Sequence, residues 1–216
     1  MVYSAKRPAV KIAGAAVLAA LAGIMQSLPP VFITPWFMRV DFVAIPWVLC
    51  WILFGFDAAF LSMLISLPIV GFVGPFAGGV VGMTMKPVAS VWMFAIPALV
   101  AWRTGGSRSF VLDKRVFVVG GLLALLVRAV VTILFNFYFA LPVFYGLTGT
   151  QIIETFDFLK SFVGQSLGLV GFGLFAGEVA IWNTIQGILD LYAAYLIGLV
   201  VHRRISPVPK GVSNIK

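Results

Sequence analysis

The sequence predicts an all-α integral membrane bundle of about six hydrophobic helices, and three observations lead there. Hydrophobic residues make up 62% of the 216, charged residues only 10%, and mean hydropathy is +1.10, more apolar surface than a water-soluble core can hide. Apolar runs over residues 13–28, 42–56, 88–102 and 116–141 approach or exceed the roughly 20 residues that cross about 30 Å of hydrocarbon. The runs are continuous rather than alternating, which selects helices over barrel strands.

Span 1 is expected over residues 9–28. It follows Lys6, Arg7 and Lys11 and has the outline of a signal peptide. Further spans follow, however, and no small-residue cleavage site precedes a soluble body, so it reads as a helix. Its Ala15, Ala19 and Gly23, with Ala16 and Ala20 beside them, recur at the four-residue spacing that gathers small side chains on one face, where another helix can approach closely. Leu28-Pro29-Pro30 ends the span, because paired prolines remove donors and restrict the preceding backbone. Residues 31–41 are then an outer loop, with Trp36 at interface depth and Arg39 and Asp41 at its end. Spans 2 and 3, over 42–56 and 59–73, are short; Gly55 and Asp57 mark their inner turn, and Pro46 and Pro68 are candidate kinks. The glycine-rich stretch GFVGPFAGGVVG, residues 71–82, reads as a second outer turn. It is no phosphate loop, since Lys86-Pro87 does not supply the Lys-Ser/Thr pair at the required spacing, and the chain therefore has no ATPase motif of its own.

Span 4 covers 88–102 and span 5 covers 116–141, joined by a basic loop. Pro142 opens an outer segment in which Ile152, Ile153, Phe156, Leu159 and Val163 recur at helical spacing, with Glu154, Asp157 and Lys160 on other faces. That pattern fits a short amphipathic helix lying on the membrane. Span 6 covers 178–202. No internal repeat is visible, which gives inverted-repeat transporter architectures little support.

The net charge of +8 points to lipid topology rather than nucleic acid, because the basic residues fall at the ends of hydrophobic runs. Lys6, Arg7 and Lys11 precede span 1; Arg103, Arg108, Lys114 and Arg115 lie between spans 4 and 5; Arg203, Arg204, Lys210 and Lys216 follow span 6. Under the positive-inside rule all three clusters are cytoplasmic, and six spans satisfy this with both termini inside a cell membrane. The single Cys50 excludes intrachain disulfides and cysteine-built metal sites, and the one histidine, His202, flanked by Arg203 and Arg204, makes a metal site improbable. Clustered carboxylates and nucleophile–base pairs are also missing, so an enzyme is not expected.

Ionisable residues at membrane depth are functional hypotheses by default. Arg128 lies about 13 residues outward from Arg115, and Asp190 about 13 from Arg203, which sets both roughly 20 Å from the inner surface. At matching depth they can pair, either as a substrate or gating site or as a structural ion pair orienting spans 5 and 6. Two turns farther out, Asn136 and Asn183 share a second depth, and Asn183, Gln186 and Asp190 fall at i, i+3 and i+7 on one face. Such a stripe suits a flat polar heterocycle, or interhelical hydrogen bonding alone. Glu178 reads as an interfacial, solvated residue, and Asp41 as a cap on span 2 or a ligand contact.

Three stretches carry a family resemblance: PWFMRVDFVAIPWVL (residues 35–49), FNFYFALPVFYG (135–146) and IWNTIQGILDLYAAYLI (181–197). In their order and spacing they resemble the substrate-binding S components of energy-coupling factor (ECF) transporters, most closely the riboflavin-type branch. The resemblance implies a subunit that captures riboflavin or a related vitamin from the outer side, as transported ligand rather than cofactor. Asn136, Asn183, Gln186 and Asp41 are the expected contacts. Partners would be a transmembrane coupling subunit, docked on the small-residue face of Ala15, Ala19 and Gly23, and two ATPase subunits. The chain departs from the riboflavin-type pattern at Gln186, where lysine is frequent, and at Ala44, where a second acidic residue is usual. The competing expectation is a proton-coupled secondary transporter using Asp190 or Glu178 as carrier.

Overall fold

The computed structural model describes residues 8–36, 38–75, 77–159 and 166–205. The termini, with Lys6, Arg7, Lys210 and Lys216, and the positions Lys160 and Val163 lie outside the described residues. The described chain is almost entirely helical, as a lipid-exposed backbone must be to satisfy its own polar groups. Four helical stretches are long and apolar enough to cross a membrane: Pro8–Ser27, Gly79–Trp102, Lys114–Tyr145 and Gly171–Arg204.

Helix α1 (Pro8–Ser27) packs on α2 (Ile45–Phe54) and α3 (Phe56–Phe72). Between α1 and α2 the expected loop is a small antiparallel hairpin, β1 (Phe32–Ile33) and β2 (Arg39–Val40), paired Phe32 to Val40 and Ile33 to Arg39. It is locked by Thr34 N–H to Met38 O at 2.9 Å and Val31 N–H to Val40 O at 2.8 Å. Helix α2 has only 10 residues, yet seven in succession from Pro46 to Ile52 are buried. A helix apolar all round belongs in the interior, and α2 touches α1, α3 and the last helix. Gly55, at φ +97°, makes the sharp corner into α3 that a side-chain-bearing residue would resist. Trp47 Nε1 donates to Ser66 Oγ at 2.9 Å, pinning α2 to α3.

The glycine-rich turn is shorter than its composition suggests. Helix α4 (Gly79–Ser90) begins inside it and continues through a turn at Val91 into α5 (Trp92–Trp102), so the expected span over 88–102 is extended by nine residues at its start. Glycine disfavours a helix by only about 1 kcal/mol, which packing against α3 overrides. The basic loop contains a short helix, α6 (Ser107–Leu112), tied by Ser107 Oγ to the Ile52 carbonyl at 2.9 Å.

Helix α7 (Lys114–Phe135) opens on an Asp113 cap and does not stop before Pro142. It widens into a π-helical turn, Asn136–Ala140, and runs on as α8 (Leu141–Tyr145). The wide turn lets the proline, which lacks an N–H and crowds the carbonyl four residues back, be accommodated without breaking the rod. Helix α9 (Gly149–Leu159) packs Ile152 and Phe156 against the chain rather than lying free on a membrane surface. Helix α10 (Gly171–Ile205) runs from beside α9 along α7 and α2.

Helix α7 is inside-out by the standards of water. On α7 the buried positions after Val116 are Gly120, Gly121, Ala124, Arg128 and Thr132, while Leu122 and Leu126 are 63% and 62% exposed, with Val118 and Val130 on the same outward side. Small and polar residues face the neighbours and large apolar ones face away, the arrangement expected when lipid is the solvent. Two apolar cores result: a large one around α2, and a smaller one of Trp36, Leu141, Ile152, Phe156, Leu174, Phe175 and Val179 at the hairpin end.

Candidate ligand-binding site

Between the two cores lies a cavity of about 440 Å³, within the usual range for small-molecule sites. Its walls come from α1 (Gln26), the hairpin (Trp36, Met38, Arg39, Asp41), α4 (Met85, Lys86), the α7–α8 rod (Arg128, Thr132, Asn136, Leu141) and α10 (Asn183, Gln186). Positions from 26 to 186 thus converge on one space.

A continuous polar chain forms one side of it. Lys86 Nζ donates to both oxygens of Asp41, at 2.5 and 2.6 Å. Asp41 Oδ1 also accepts from the Val43 N–H at 3.0 Å, which orients the entry into α2. The Asp41 main chain meets Gln186 in a reciprocal pair: its N–H donates to Oε1 at 2.8 Å, and Nε2 donates to its carbonyl at 2.6 Å. Gln186 Nε2 further donates to Asp190 Oδ1 at 2.8 Å, and Arg128 Nη1 donates to Asp190 Oδ2 at 3.1 Å. Arg128 and Asp190 are buried, at 2% and 0% exposure. Close approach of the helices here depends on Gly187, where an added Cβ would stand 2.6 Å from Leu125 Cδ2 and 3.3 Å from Arg128 Cδ.

The asparagines behave differently. Asn136 Nδ2 donates to the Thr132 carbonyl at 2.7 Å, and Asn183 Nδ2 to the Val179 carbonyl at 2.9 Å, each binding one turn back along its own helix. Asn183 Nδ2 also reaches Met38 Sδ at 3.5 Å. Among the described residues neither side-chain carbonyl accepts a hydrogen bond, and both residues line the cavity. Arg39 is half-buried in the wall with no hydrogen bond or ion pair among the described residues. Partial burial draws its pKa down while nearby Asp41 raises it; a guanidinium remains cationic at neutral pH.

Several expectations change. Asp41 is not the cap of α2, a position held by Ala44; its carboxylate is committed to Lys86 and the Val43 amide. Gln186 lines the cavity with both amide protons and an oxygen lone pair engaged within the chain, a pairing that ties the hairpin to α10. Glu178 is not solvated: it is 0% exposed and accepts from Trp182 Nε1 at 3.1 Å. Ala15, Ala19 and Gly23 face inward; a Cβ on Gly23 would stand 2.9 Å from Ile69 Cγ2 of α3, so this face is filled by the chain itself. The small residues left outward on α1 are Ala9, Ala13, Ala16, Ala20 and Ser27. Sequence reasoning weighed Lys86 only as a phosphate-loop lysine and missed it as a partner of Asp41; its one available signal was a lone cation inside a largely apolar stretch.

Comparison of the chain with protein-family models, curated proteins and solved structures returned no match. Among the described residues no group of three or more His, Cys, Asp or Glu could hold a metal ion.

Proposed function

We propose that this protein is the substrate-capture subunit, or S component, of an ECF-type transporter, binding riboflavin or a related vitamin for import driven by ATPase partners. The observation that carries the reading is the cavity itself, with two asparagine carbonyls open to it beside a polar chain from Lys86 to Arg128 that is paired within the protein. The chain spans the cell membrane six times, through α1, α2, α3, the α4–α5 rod, the α7–α8 rod and α10, with both termini cytoplasmic. Charge supports the orientation: Lys11, Arg103, Arg108, Lys114, Arg115, Arg203 and Arg204 gather at the end opposite the hairpin, which is therefore the outer end.

In this reading the protein binds and releases without chemical turnover. Asn136 and Asn183 contact the ligand, while Asp41, Lys86, Gln186, Arg128 and Asp190 hold the walls in register. The coupling subunit docks on the outward small-residue face of α1, where Ala16 and Ala20 stand one turn apart. Quenching of flavin fluorescence on titration into the detergent-purified chain tests the ligand, with Asn183→Ala expected to weaken binding about tenfold. Copurification with a coupling subunit and two ATPases, and uptake that requires ATP, test the class. Uptake driven by a pH gradient without ATP would instead favour the proton-coupled reading, with Asp190 or Glu178, both fully buried, as carrier.

A further inference from the structure

The charges around the cavity do not balance. Its lining carries three cations, Arg39, Lys86 and Arg128, against a single anion, Asp41. Lys86 is matched by Asp41, and Arg128 by Asp190 just behind the wall. Arg39 has no such partner among the described residues, and one positive charge is left over. Its setting makes that surplus unfavourable as it stands. A Cβ on Gly78 would lie 3.2 Å from Arg39 Nη2, so the guanidinium sits against the start of α4, where the helix dipole is already positive. Arg128 Nε also has no acceptor, but it is itself buried and out of a ligand's reach. Arg39 is therefore the cation whose N–H groups are left free beside a cavity that otherwise offers neutral amide carbonyls and apolar walls.

We infer that the natural ligand is a small molecule bearing one anionic group, a carboxylate or a phosphate, which neutralises Arg39 while its uncharged body reaches Asn136 and Asn183. This rests on the reading of the cavity as a substrate site and narrows it. A guanidinium presents a planar fork of donors that matches either oxyanion, and an anion between Arg39 and the first turn of α4 would meet both the side chain and the helix end. A neutral heterocycle would leave the surplus charge in place.

The test uses matched pairs of probes, each with one ring and with or without the anion: riboflavin 5′-phosphate against riboflavin, and nicotinate against nicotinamide. Affinities are measured by calorimetry and thermal shift on the purified full chain. In at least one pair the anionic member is expected to bind about tenfold tighter or more. Arg39→Gln should bring the two members of that pair to the same affinity, and Arg39→Lys should keep part of the difference. Which pair responds distinguishes phosphate from carboxylate. The inference is overturned if the neutral members bind as tightly as the anionic ones, if the preference survives in Arg39→Gln, or if neither anionic compound binds. Arg39 makes no hydrogen bond among the described residues, so the variants should fold, and the unliganded melting temperature checks this. Failure of the transport reading would register elsewhere: a chain that selects anions yet associates with no ATPase module would keep this inference and lose the S-component proposal.

Discussion

Replacing Asp190 by asparagine removes one charge and little else. The amide has the same shape and can still accept from Gln186, but Arg128 loses its counter-ion at 2% exposure. At the 3.1 Å separation of Nη1 and Oδ2, and an effective dielectric constant of about 20, the attraction lost is about 5 kcal/mol. Water can reach little of the stranded guanidinium, so the expected loss of stability is about 3–5 kcal/mol, or roughly 6–20 °C in melting temperature for a chain of this size. The control is the double variant Arg128→Met/Asp190→Leu, which removes both charges and keeps the volume. It should recover most of the loss, less about 1 kcal/mol for the acceptor that Gln186 forfeits. Thermal unfolding of the three proteins in one detergent makes the comparison. If Asp190→Asn lies within about 1 kcal/mol of the parent, or the double variant falls as far as the single, the pair is not the buried, unscreened contact described here.

Gly187→Ala should cost about 1–3 kcal/mol in the same assay, because its Cβ would crowd Leu125, Met93 and Arg128 at 2.6, 3.1 and 3.3 Å and none can move without disturbing the α7–α10 contact. Ala19→Leu overpacks the inward face of α1 and should lower stability by about 1–3 kcal/mol, whereas Ala20→Leu should leave the melting temperature unchanged and abolish copurification with the coupling subunit. Lys86→Met leaves the Asp41 carboxylate with only the Val43 amide; a loss of about 2 kcal/mol is expected, together with weaker ligand binding as the hairpin loosens, measured by unfolding and titration.

Hydropathy made the long helices legible, because the lipid-facing side of each must be apolar whatever it packs against. Depth arithmetic put Arg128 level with Asp190, and the two are 3.1 Å apart in the structure. It worked because both lie on long helices ending in basic residues, so counting from those ends is a ruler. The same ruler was not laid along Lys86, because the span expected from hydropathy begins at residue 88 and leaves it outside, whereas the helix begins at Gly79. Local signals also misled where packing overrides them: Gly79 and Gly82 look like turn residues and are helical, and Pro142 looks like a terminator but follows a π-helical turn that absorbs it. The partners of Gln186 were beyond reach for another reason. Apart from Asp190 one turn on, they are the backbone groups of Asp41, 145 residues away, and a main-chain donor or acceptor leaves no mark on the sequence.

That last contact bears on how the cavity selects. A binding site can lose specificity through wall groups that swivel to meet whatever enters, and here most polar wall groups cannot. Lys86, Asp41, Gln186 and Asp190 each hold at least two hydrogen bonds within one chain that crosses four structural elements. In a medium of low dielectric constant, turning any one outward would strand another, at a cost of about 1–3 kcal/mol per neutral group and more for a charge. The groups left to meet a ligand are then few and fixed in direction: two asparagine carbonyls, whose amides are anchored to their own helices, and the guanidinium of Arg39. Acceptors on one part of the cavity and cationic donors on another define a ligand with a donor-bearing body and an acidic end. The rigid chain behind them is what prevents the cavity from adapting to anything else.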